Sequence, residues 1–242
     1  MSKTPSLADM LQAGAHFGHR TSRWHPKMAR FIFGERSDIH IIDLEKTSQQ
    51  LAAACAFVKG VASRGGTVLF VGTKRQAQGI IKQAAEACGM PFVNERWLGG
   101  TLTNFPQIKL TIKDMLNMKD LREKGELRRY TKKERLLIDR KIEEQEKKIG
   151  GIQKMDRVPE AIFVLDVRHD KTAIEEAESV GVKVVAVCDS NVNPTPVDYI
   201  IPGNDDAVKS IALFAGVISE AIKDGVAEAA SAKAALEVKK PV

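Results

Sequence analysis

The feature that most constrains this chain is an α/β rhythm that stops and later restarts. Short apolar runs alternate with amphipathic stretches, the layout of parallel α/β proteins. Residues 39–44 read as a strand, 46–63 as an Ala- and Leu-rich helix ended by Gly65 and Gly66, and 67–72 (TVLFVG) as a strand buried on both faces. A helix over 75–88 stops at Gly89, and 91–96 reads as a third strand. The rhythm breaks at Gly99 and Gly100 and resumes only with strand 161–167, helix 172–180, strand 183–188, short strand 199–201 and helix 205–223. Residues 226–242, beyond Gly225, read as a flexible tail.

The interruption, 106–150, has its own helical logic. Pro106 suits a first helical turn, where its missing amide hydrogen costs nothing. Ile108, Ile112 and Met115 recur at helical spacing, and Gly125 marks a break. TKKE over 131–134 is a capping box, in which hydroxyl and carboxylate satisfy each other's orphan amides. Ile138, Ile142 and Ile149 share a stripe with Gln145, and Gly150 with Gly151 closes the segment. The pattern predicts two helices of roughly 17 residues, each about 25 Å long. They should pair as an antiparallel coiled-coil αα-hairpin that protrudes from the sheet, its apolar stripes satisfying each other. Its outer faces carry Lys113, Lys119, Arg122, Arg128, Arg129, Lys132, Lys133 and Arg140.

Charge is divided along the chain. Residues 1–105 hold 13 basic and 7 acidic residues, 106–150 hold 14 and 9, and 151–242 hold 10 and 15. A basic two-thirds beside an acidic third suggests one surface for a polyanion and another for something else. No apolar run reaches the roughly 18 residues of a membrane helix, and the first residues lack a signal-peptide layout. A membrane or secreted protein is therefore not expected. Cys55, Cys88 and Cys188 lie far apart among apolar neighbours, as small buried hydrophobes of a reducing compartment do, which points to the cytoplasm.

Doubly wound sheets bind ligands at the carboxyl ends of their strands. There FVGTKR (70–75) supplies a glycine, a hydroxyl and two cations, but its spacing is not GxxxxGK[ST], and no GxGxxG follows any strand. Lys74 and Arg75 suit a single phosphate oxygen. Asp166, Asp189, Asp205 and Asp206 lie near strand ends, where carboxylates either serve acid–base chemistry or cap the next helix. The 16–31 stretch has no clear helical or strand period. It interleaves Arg20, Arg23, Lys27 and Arg30 with aromatic rings and histidines, Trp24 among them. Cations for phosphates and flat rings for exposed bases are how a polypeptide grips folded RNA. A second patch, NERWLGGTLTN (94–104), offers Arg96 and Asn104 beside an indole and hydroxyls. For Trp24 and Trp97, core packing is an equal reading.

At these segments the sequence resembles bacterial small-subunit ribosomal protein S2. The resemblance rests on MLQAGAHFGH (10–19), WHPKM (24–28), FIFG (31–34), IHIIDLEKT (39–47) and FVGTKR (70–75). It continues through NERWLGGTLTN (94–104), TKKE (131–134), PEAIFV (159–164) and IPGNDD (201–206), and runs from about Leu7 to about Gly225. It implies a flavodoxin-like doubly wound α/β domain with a protruding hairpin. It also implies a structural component of the small subunit, set against 16S rRNA between head and body, that anchors the large OB-repeat ribosomal protein.

The expected division is an α/β domain over 1–105 and 151–225 with a basic RNA-binding segment at 1–36, a hairpin insertion at 106–150 and a tail at 226–242. The RNA-facing set is Arg20, Arg23, Trp24, Lys27, Arg30, Lys74, Arg75, Arg96 and Asn104. Expected partners are rRNA and neighbouring ribosomal proteins, with no membrane, no small-molecule substrate and no functional homo-oligomer. No catalytic residue and no required cofactor are expected. The resemblance brings the N-terminal segment near the strand ends, and some members of the family hold a divalent ion there. This implies a structural zinc or magnesium site from His19, Asp189 and Asp205, with His16 as a fourth ligand or a packing residue; capping acids and a satisfied histidine are the alternative. The competing function is an enzyme on the same fold acting on a phosphorylated small molecule.

Overall fold

The computed structural model describes residues 5–238. Its centre is a five-stranded parallel sheet in the order β5-β4-β6-β7-β8, from β4 (Val68–Val71), β5 (Phe92–Val93), β6 (Ala161–Val164), β7 (Lys183–Cys188) and β8 (Tyr199–Pro202). Counted along the chain, these five strands follow the 2-1-3-4-5 order of flavodoxin-like folds. All four residues of β4 and of β6 are buried, as a sheet covered on both faces requires. Val68, Phe70 and Phe163 turn to one core with α2 (Leu44–Ser63), α3 (Gln78–Cys88) and α7 (Val208–Val238). Leu69, Val71 and Ile162 turn to the other, with α6 (Lys171–Val180).

Gly225 reads in sequence as the end of a helix, yet α7 runs through it to Val238. A Cβ at Gly225 would run into the Lys59 carbonyl oxygen and the Ala62 side chain. The residue is thus spent on close packing between α7 and α2, not on stopping the chain.

The interruption forms α4 (Phe105–Glu123) and α5 (Lys132–Ile149), with the capping box of Thr131 and Glu134 in place. Ion pairs Lys119–Glu146 and Arg122–Asp139 join them in antiparallel order. Their stripes are not satisfied by each other alone. Ile108, Ile112, Met115 and Ile149 belong to the same core as Leu69, Val71 and Ile162. The physical reason is topological: the connection from β5 to β6 must cover the sheet face, and the base of the hairpin is the element that covers it. Farther out, Leu136 and Leu137 are exposed, and the side chains of Arg128 and Arg129 fall outside the described part of the chain.

The N-terminal region departs from expectation. A short helix α1 (Leu7–Gln12) precedes a separate antiparallel sheet in the order β1-β3-β2, from β1 (Phe17–Arg20), β2 (Ile32–Arg36) and β3 (Ile39–Ile42). The strand read at 39–44 therefore does not join the parallel sheet. Register shifts in both pairings, and two 3-10 turns between β1 and β2, break the period of two that would have revealed the strands.

Candidate functional site

Backbone hydrogen bonds pin the N-terminal segment over the loops that follow β7 and β8. The His19 amide donates to Ser190 Oγ at 2.8 Å and the His25 amide to the Ser190 carbonyl at 2.8 Å. Asn204 donates its amide to the Ala15 carbonyl and Nδ2 to the Gly14 carbonyl, both at 3.1 Å, and Lys27 Nζ reaches Thr195 Oγ1 at 2.7 Å. The approach is close: a Cβ on Gly18 would lie 2.8 Å from Ser190 Oγ. Ser190 carried no sequence signal, because its partners are about 170 residues away in the chain.

Beneath this segment lies a cluster of acids. Lys74 Nζ pairs with Asp166 at 3.2 Å, with Asp205 at 3.3 Å and with Asp206. These carboxylates hold the ammonium above its ordinary pKa against the opposing effect of burial. Burial, with the Asp166 and Asp189 charges, pushes Asp205 up to about 7 despite Lys74. Alongside, Thr73 Oγ1 donates to Asp170 at 2.7 Å. The crevice between the carboxyl ends of β4 and β6, where doubly wound folds hold phosphorylated ligands, is therefore filled by the chain's own ion pairs. Lys74, expected among the outward cations, points into it with 17% of its side chain exposed.

His19 sits at the rim of the cluster. Its Nδ1 lies 3.1 Å from Asp189 and its Nε2 3.4 Å from Asp206. The hydrogen bond to Asp189 raises its pKa against burial. Among the described residues, His19, Asp205 and Asp206 bring ligand atoms within 4.8 Å of one another. Asp189 lies on the Nδ1 side of His19 and Asp206 on the Nε2 side. One imidazole and two carboxylates suit a divalent ion, and a carboxylate behind the imidazole is the usual outer support of such a ligand. The His16 ring lies against Phe17 at 4.0 Å.

The remaining expected residues face outward. Arg20, Arg23, Trp24, Lys27 and Arg30 are exposed along one segment, with Trp24 leaning on the His40 ring at 5.2 Å. Arg75, Arg96 and Asn104 are exposed on the other loops. Trp97 is half-buried and serves as an anchor, donating Nε1 to Glu176 at 3.0 Å. Glu176, on α6, went unnoticed in the sequence because an acid inside an amphipathic helix reads as surface.

The fold and site describe a doubly wound body whose strand-end crevice is occupied by its own ion pairs and whose cations are turned outward. Comparison with protein families gives the particular case: the family model of ribosomal protein S2 matches residues 10–225, and the chain belongs to that family. It is accordingly a structural protein of the small ribosomal subunit, acting in translation in association with rRNA and other ribosomal proteins. No helix among the described residues is long and apolar enough to cross a membrane.

Proposed function

We propose that the chain binds 16S rRNA through Arg20, Arg23, Trp24, Lys27 and Arg30, supported by Arg75, Arg96 and Asn104, and lies between head and body of the subunit. The observation that carries this reading is the division at the N-terminal segment: its cations are exposed on the outer side, while the acids behind it are paired and buried. Cations so held neutralise phosphates and fix register, and the exposed indole of Trp24 stacks on an unpaired base. In this reading Lys74 is a structural counter-ion and leaves the RNA-facing set.

The body over 1–105 and 151–225 acts as the platform, and the coiled-coil hairpin over 106–150 meets RNA or a protein neighbour. The chain also anchors the large OB-repeat protein, and it works in the cytoplasm. A divalent ion, zinc or magnesium, held by His19, Asp205 and Asp206 would add positive charge that ties the N-terminal segment to the strand ends. Titrating 16S rRNA with the chain at several salt concentrations tests the reading. Tight binding that falls steeply with salt is expected; salt-independent or absent binding would refute it.

A further inference from the structure

The loop that joins β5 to α4 closes around a carboxylate that does not belong to it. Glu176 Oε1 accepts from Trp97 Nε1 at 3.0 Å and from the Gly100 amide at 2.8 Å. Oε2 accepts from the Leu102 amide at 3.0 Å, the Thr103 amide at 3.2 Å and Thr103 Oγ1 at 3.2 Å. Five donors from seven consecutive residues thus converge on one carboxylate. Glu176 is 8% exposed, and among the described residues no lysine or arginine pairs with it. A buried charge without a counter-ion is tolerated only where hydrogen bonds solvate it, and successive backbone N–H groups in a curled loop make a cavity for an anion. The curl needs Gly100, whose φ of +90° a side chain would strain. Just beyond, Leu102 and Phe105 enter the core beneath α4.

We propose that Glu176 is the positioning residue of this loop: its carboxylate fills, from α6, an anion nest formed by residues 97–103, and so sets Arg96, Asn104 and the start of α4 for RNA. The inference rests on the reading that Arg96 and Asn104 face RNA. Both oxygens are required, because each serves at least two donors. A carboxylate is acceptor-only, whereas an amide at this place turns an NH2 group toward N–H donors.

The test uses the full chain with Glu176→Ala, which vacates the nest, in acetate or in chloride at equal ionic strength. Two quantities are read: affinity for 16S rRNA, and hydrogen exchange at the Gly100, Leu102 and Thr103 amides. In chloride the variant should bind about tenfold more weakly and exchange these amides faster; acetate should restore most of both by re-entering the nest. Arg96→Ala should weaken the native chain but add little to Glu176→Ala, since residues acting through one element are non-additive. Should Glu176→Ala not fold, Glu176→Gln is expected to show the same two losses without acetate rescue, because its amide still fills the nest. A folded Glu176→Ala whose three amides stay protected in chloride, or stay fast in acetate, overturns the proposal. Protection that responds to acetate while Arg96→Ala leaves native affinity unchanged overturns instead the assignment of Arg96 to RNA, and with it the functional half of the proposal.

Discussion

Two stretches turn cationic and polar side chains outward, and they are held in opposite ways. The N-terminal segment is fastened at many points by bonds to Ser190, Asn204 and Thr195, each replaceable by its neighbours. The 96–104 loop, besides the packing of Leu102 into the core, makes its long-range hydrogen bonds at one point, the Glu176 carboxylate. Distributed fastening tolerates the loss of one bond; a single charged keystone does not. The two surfaces should therefore differ in fragility though they offer similar chemistry.

Glu176→Ala should be the costliest change, destabilising the chain on the order of 3 kcal/mol because buried donors lose a charged acceptor; urea unfolding measures it. The pH dependence has a definite sign. Burial opposes ionisation, but the bonds from Trp97, Leu102, Gly100 and Thr103 hold the Glu176 carboxyl below its ordinary value. Its contribution is therefore present above pH 4.5 and lost as pH falls through the lower folded value. The urea midpoint of Glu176→Ala should accordingly fall less across that acid range than the midpoint of the native chain.

Lys74→Met comes next, at about 2 kcal/mol, since it leaves Asp166 and Asp205 without their cation. The slope of RNA affinity against salt should not change, because Lys74 faces inward; a shallower slope would return it to the RNA-facing set. Ser190→Ala should cost only about 1 kcal/mol, one hydrogen bond among several. A cost matching that of Glu176→Ala would erase the contrast between the two fastenings.

The parallel strands and the two helices of the interruption were legible because long buried runs and helical spacing are local signals; the strand order was not, since it arises only when distant segments pair. The outward cations were legible too: Arg20, Arg23, Lys27 and Arg30 are exposed where their polarity places them. The inward position of Lys74 was not legible, because sequence shows a cation after a strand but not the three acids that surround it from later loops. Glu176 and Ser190 were missed for the same reason, as their roles arise only when distant segments meet. The base of the hairpin was misjudged because its apolar stripe fits a partner helix and a sheet face equally well.

The most direct measurement is the salt dependence of 16S rRNA binding by the native chain and by the double variant Arg20→Ala, Arg23→Ala, both with exposed side chains. Each lost phosphate contact should flatten the slope of log K against log salt by about 0.7 to 0.9. A slope shallower by about 1.5, with the urea midpoint unmoved, is the predicted result. An unchanged slope would show that the N-terminal segment is not where the RNA is held.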